Sequence, residues 1–115
     1  SIGHIGNEVQ SIVKKLEKEN INIGHYDLIF IKPLDENLLK KIIQEYQFII
    51  TIEDGCVTGG AGTAILEFAS LQTKKVHIVR LGIPDQFIPH GTQKEQTKIS
   101  GIDKKTIEKT IRKLL

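Results

Sequence analysis

The residues of this chain best placed to do chemistry lie in one stretch, Glu53 to Gly62, which reads EDGCVTGGAG. It carries two adjacent carboxylates, a thiol and a run of glycines. Paired glycines between a strand and a helix let backbone come close to a ligand or to a neighbouring element. The free N–H groups of a helix start suit an anion. Yet GGAG at Gly59–Gly62 matches neither GxGxxG nor GxxxxGK followed by Ser or Thr. No lysine follows to meet a phosphate, and Glu53 with Asp54 is expected to repel one. The stretch therefore reads as a tight turn packing a helix on a sheet or against another domain. Cys56 sits where a helix start depresses a thiol's pKa. A nucleophile also needs a base and an orienting group, and no such pair stands out, so Cys56 reads as a small filler residue.

The histidines divide by position. His25 and His77 fall within apolar, strand-like runs and read as members of a sheet. His4 falls in a turn at the carboxyl edge of a sheet, where open α/β folds place ligands and contacts, and is a candidate contact residue. Leu81–Thr92, LGIPDQFIPHGT, is a loop stiffened by Pro84 and Pro89. It presents Asp85, Phe87, Ile88 and His90; its apolar pair either covers the sheet end or meets a partner. Lys104, Lys105, Lys109, Arg112 and Lys113 share a helical stretch with Glu108 among them, the pattern of a solvated face.

Hydrophobic periodicity supplies the elements that must hold these residues. A first helix is predicted over Glu8–Glu19 with Val9, Ile12, Val13 and Leu16 inward, Asn7 as N-cap and Gln10 in a variant capping box. Asn20 and Gly24 bracket its end. Ile23–Ile31 reads as a strand, stopped by Pro33. Asp35 is predicted to cap a second helix with Leu38, Leu39, Ile42, Ile43 and Tyr46 on one face. Phe48–Ile52 and Val76–Leu81 are nearly all apolar, as strands buried on both faces are. Between them a third helix uses Ala61, Ala64, Ile65, Phe68 and Ala69. After the proline loop, Asp103 is predicted to cap a last helix burying Ile107, Ile111, Leu114 and Leu115. Buried strands alternating with amphipathic helices predict a three-layer α/β/α sandwich around a mostly parallel sheet. In that rhythm Ser1-Ile2-Gly3 reads as the end of a first strand that is largely missing, and the chain as a single domain, residues 1–115, cut from a longer one.

Composition narrows the function classes. The 115 residues carry 16 Lys and Arg against 14 Asp and Glu, a net charge of +2, without the basic excess of a nucleic-acid binder. A single cysteine provides neither an internal disulfide nor a zinc ligand set. No apolar run is as long as a membrane span and no signal peptide opens the chain. No nucleic-acid or membrane partner is expected, and the expected location is the cytoplasm.

Four segments, occurring in this order, carry a resemblance: IKPLDENLL (Ile31–Leu39), TIEDGCVTGGAGTAILEF (Thr51–Phe68), LGIPDQFIPHGT (Leu81–Thr92) and SGIDKKTI (Ser100–Ile107). Together they make the chain similar to the C-terminal domain of the transketolase family. The proline loop and the late Gly101-Ile102-Asp103 favour the 1-deoxy-D-xylulose-5-phosphate synthase branch over transketolase proper or the 2-oxo-acid dehydrogenase beta subunits. The resemblance implies a full-length thiamine-diphosphate- and Mg2+-dependent transferase that joins pyruvate to glyceraldehyde 3-phosphate with loss of carbon dioxide. Its product feeds isoprenoid, thiamine and pyridoxal synthesis. It further implies that catalytic, cofactor and metal residues lie in preceding domains and none in this one, which has no G-D-G motif. The domain is then expected to pack on the preceding domains and support a homodimer, with no cofactor bound here. His4, Glu53, Asp54, Gly59, Gly60, Gly62, Asp85 and His90 are the candidate domain-interface residues. A reading of another class, a stand-alone anion-binding module built on the Gly59–Gly62 helix start, predicts stabilisation by phosphate or nucleotides.

Overall fold

The apolar stripes lead directly to two helical layers. The structure, a computed structural model, describes residues 1–115. Helix α1 (Ile5–Glu17) buries Ile5, Val9, Ile12, Val13 and Leu16. At the other end of the chain α5 (Lys104–Lys113) buries Ile107 and Ile111. These side chains and Ile52 form one core. On the opposite side α2 (Glu36–Glu45) and α3 (Ala61–Ser70) contribute Leu39, Ile43, Ile65, Phe68 and Ala69 to a second core.

Strands β1 (Phe48–Cys56) and β2 (His77–Ile83) separate the two cores. They pair in parallel from Phe48 with His77 to Ile52 with Leu81, then, past an irregularity, Cys56 with Ile83. Side chains alternate across a pleated strand, so Ile50, Ile52 and Leu81 reach the first core while Ile49 and Ile78 reach the second. Helix α3 is the crossover that parallel neighbours require. The predicted three-layer architecture is the observed one.

Two capping predictions hold in detail. The Asp35 side chain accepts from Leu38 N at 2.9 Å, and Asp103 accepts from Lys105 N and Thr106 N. Asn20 ends the first helical segment with φ +60, the left-handed turn that asparagine tolerates better than most residues. Helices α1 and α5 run side by side in the same direction. Lys15 meets Glu108 at 2.8 Å, Lys104 meets Ser11 at 2.6 Å and Arg112 meets Glu19 at 2.7 Å.

Leu114 and Leu115, predicted to be buried by the last helix, lie past the end of α5, Leu114 half-buried and Leu115 exposed. Three further predictions are corrected. Helix α1 begins at Ile5 rather than Glu8, and Asn7 lies inside it instead of capping it. The start is set by a distant group: the Asp54 carboxylate accepts from Ile5 N at 2.9 Å. Ile23–Ile31 forms no strand. Its pairing is confined to Ser1, whose ammonium donates to Tyr26 O and whose carbonyl accepts from Leu28 N. Ile2 in turn donates to Ile52 O and bridges Glu53 in parallel. Ser1 and Ile2 thus lie between β1 and the 26–28 segment. Further back along β1 the same gap is an apolar cavity of about 270 Å³, lined by Val9, Val13, Ile23, Ile50 and Ile111. A ladder needs a neighbour along its length, and most of this segment faces that cavity. Finally, α4 (Gln93–Ile99) occupies a stretch for which no element was predicted. It buries no side chain, so it shows no apolar stripe, but Thr92 and Glu95 form a full capping box that the sequence displays.

Candidate functional site

All the strands run the same way, so their carboxyl ends share one edge, and the predicted contact residues collect there. Glu53 lies on the last paired part of β1 with its side chain turned inward; the residue is only 3% exposed. The glycines explain where the carboxylate goes. Oε2 accepts from Ala61 N at 2.7 Å and Oε1 from Gly62 N at 3.3 Å. The first free N–H groups of α3 are therefore held by the chain's own carboxylate, placed where the helix dipole favours negative charge. Glu53 was expected to repel an anion from this turn. It is instead the anion that the turn holds.

The glycine turn is shaped around that carboxylate. A side chain on Gly60 would run into Glu53 Oε2 and the Cys56 carbonyl, and one on Gly62 would run into Thr51 Oγ1. Gly59 needs its freedom for another reason, a φ of +74 with open space around it. Thr63 and Arg80 close the turn. Thr63 Oγ1 accepts from Gly59 N at 3.1 Å and donates to Val57 O at 3.1 Å. Arg80 Nη1 donates to Thr63 Oγ1 at 2.7 Å and to Val57 O at 3.2 Å. Cys56, at the end of β1, is a half-buried free thiol.

Asp54, next along β1, points the other way. Besides capping α1 it meets His4 Nδ1 at 2.9 Å. The far ring nitrogen of His4 lies 2.6 Å from Gln93 Nε2. In the neutral ring, Nδ1–H donates to Asp54 and Nε2 accepts from the amide. The chain thus links β1, the start of α1 and the start of α4 through one exposed histidine. Asp85 and His90 stand apart from this network, exposed on the loop after β2 at the same edge.

His25 and His77 separate. His77 is on β2, edge-on to Phe48 at 5.9 Å between ring centroids. His25 lies outside any strand, with Nε2 2.8 Å from Ser1 Oγ. Burial, and then the nearby Ser1 ammonium, lower its pKa against the pull of Asp27.

Gln93, Thr63 and Arg80 were not among the residues singled out from the sequence. Only Gln93 had a usable signal, its place just inside the Thr92–Glu95 capping box. No three His, Cys, Asp or Glu side chains converge as a metal site would require. The arrangement closes and braces the carboxyl edge: Glu53, Asp54 and Arg80 are each engaged by backbone or by a neighbouring side chain, while Asp85 stays exposed beside them.

Comparison with known proteins places this edge in context. The sequence model of the family described as "Transketolase, C-terminal domain" matches residues 1–107. A 1-deoxy-D-xylulose-5-phosphate synthase of Parabacteroides distasonis is 45% identical over 98% of this chain. One of Aquifex aeolicus is 36% identical over all of it. In both cases the chain spans 18% of the relative's length. Among solved structures, a "Split gene transketolase, inactive beta4 tetramer" superposes with a TM-score of 0.87 at 25% identity. That likeness covers 97% of this chain and 36% of the other.

Proposed function

The chain belongs to the transketolase C-terminal domain family, and from that footing we propose that it is the packing domain of a 1-deoxy-D-xylulose-5-phosphate synthase. The observation that carries the proposal is the match along nearly the whole chain to synthases that are more than five times as long. The full enzyme then condenses pyruvate with glyceraldehyde 3-phosphate using thiamine diphosphate and Mg2+, and this domain packs on the preceding domains and supports a homodimer.

The residues present do not fit the cofactor. A diphosphate seated at the start of α3 would have to expel Glu53 from the Ala61 and Gly62 N–H groups. An inorganic anion would face the same competition, which disfavours the stand-alone anion-binding module. No convergent carboxylates offer Mg2+ the oxygen ligands it requires. The chain's contribution is accordingly structural: Glu53 fixes α3, Asp54 fixes α1, and Arg80 latches the turn between β1 and α3. His4, Asp54, Asp85 and His90 are the polar members of the proposed contact edge, with Gly59, Gly60 and Gly62 shaping it and Glu53 bracing it from inside.

Titration of the 115-residue chain with thiamine diphosphate and Mg2+ in a calorimeter tests the reading. No saturable heat at micromolar cofactor is expected. Micromolar binding would move the glycine turn into the active site and sink the proposal.

A further inference from the structure

The carboxyl edge carries an apolar component that the polar residues above do not explain. Phe87 is fully exposed at 103%, Ile29 is 81% exposed and Phe30 is 69% exposed. Ile29 and Phe30 directly follow Leu28, whose N–H pairs with Ser1 O, and so leave the sheet at the edge reached by Asp54. Phe87 follows β2 off that edge. Its loop is not slack: Pro84 and Pro89 fix φ on either side, Gln86 N donates to Pro84 O, and Gln96 Nε2 donates to Pro89 O. Phe87 is thus held out in water by a stiff frame. Between these groups lie the lanes of Ser1–Ile2 and β1, a span of about 15 Å at the usual interstrand spacing. The His4–Asp54–Gln93 network occupies the middle.

Aromatic anchors around a hydrogen-bonded polar strip are what a protein contact uses, since aromatic side chains give large burial for few lost rotamers. The opposite edge exposes apolar residues too, but differently. Phe48 sits edge-on to His77, Leu71 is a helix C-cap and Leu115 follows the end of α5.

We infer that Ile29, Phe30 and Phe87 are the apolar anchors by which this domain docks, carboxyl edge first, onto the rest of its own polypeptide. The occupant is the rest of the polypeptide, upstream of this region, because the matched relatives carry more than four-fifths of their length outside it and the matching family model is that of a C-terminal domain. The inference rests on the packing role proposed above and adds which face carries it and through which side chains.

The test uses the full-length protein that carries this chain, as wild type, as the Phe30→Ser/Phe87→Ser double variant and as Leu71→Ser. Limited proteolysis reads the rate at which this domain is released. The 115-residue chain with the same substitutions reads its own thermal midpoint, which should not move because the replaced side chains are exposed. The expected result is release at least tenfold faster for the double variant and unchanged for Leu71→Ser. Faster release for Leu71→Ser, alone or together with the double variant, would overturn the choice of face while leaving the packing role intact. Equal hydrogen-exchange protection of the wild-type carboxyl edge in the full-length protein and in the 115-residue chain would show no docking there and overturn the inference. If the opposite edge also gained no protection, the packing role would fall with it.

Discussion

At the scale of single residues, Glu53 decides how the glycine turn behaves. Removing its carboxylate in Glu53→Ala leaves two buried N–H donors without their acceptor and costs about 1–3 kcal/mol, readable by urea unfolding. Glu53→Gln keeps an acceptor of similar shape and loses the charge facing the helix start, so a smaller loss of about 1 kcal/mol is expected. Gly60→Val, which collides with both Glu53 and the Cys56 carbonyl, should cost at least as much as Glu53→Ala. Wild-type stability in either Glu53→Ala or Gly60→Val would show that the turn relaxes freely and that the carboxylate braces nothing. The glycines were legible in the sequence because few residue types suit a close-packed strand-to-helix turn. The direction of Glu53 was not. A carboxylate beside glycines predicts repulsion of anions until it is known that the helix start faces inward on the same strand.

Among the elements, caps were the most legible feature wherever the capping group is local. Asp35 and Asp103 were identified from their positions before an apolar stripe, and both accept from the first turn. The start of α1 was misread because its acceptor, Asp54, lies 49 residues away. Helix α4 was missed because periodicity detects buried faces and α4 has none. The Asp103 cap also sets a pH dependence. Its carboxyl is held below the usual aspartate range first by the Thr106 hydroxyl, then by the Thr106 and Lys105 N–H groups, against the effect of burial. A group whose pKa is depressed by folding contributes stability above its unfolded pKa and loses it as pH falls through the folded value. Asp103→Ala should therefore cost about 1 kcal/mol at neutral pH. That difference should shrink on acidification below the aspartate range, as two urea titrations at different pH would show. A constant difference down to strongly acid pH would mean that packing, not the cap, is lost.

Over the whole molecule, the three layers were legible because α1, α2, α3 and α5 each display one buried stripe and both strands are mostly apolar. Strand β2 nonetheless leaves His77 and Arg80 exposed where burial on both faces was expected. The segment Ile23–Ile31 was not, because strand-forming residues specify a preference and pairing must be supplied from elsewhere. The contacts between α1 and α5 were equally hidden, since their partners lie at opposite ends of the chain. Glu108 is held below the usual glutamate range by hydrogen bonds from Lys15 and then Arg112, so its contribution is present at neutral pH and fades on acidification. Glu108→Gln should lower the thermal midpoint slightly in dilute buffer and not at all in molar salt, which screens exposed pairs. A drop that salt leaves intact would assign the effect to packing. The three contacts that tie α1 and the turn after it to α5 join residues at one constant sequence offset, 93. Because α1 and α5 run in the same direction, slipping one past the other by a single 1.5 Å step misplaces all three contacts together. A pull applied between Ser1 and Leu115 along those axes loads this line in shear, with the rungs resisting as a set, whereas antiparallel helices joined at one end would unzip one rung at a time.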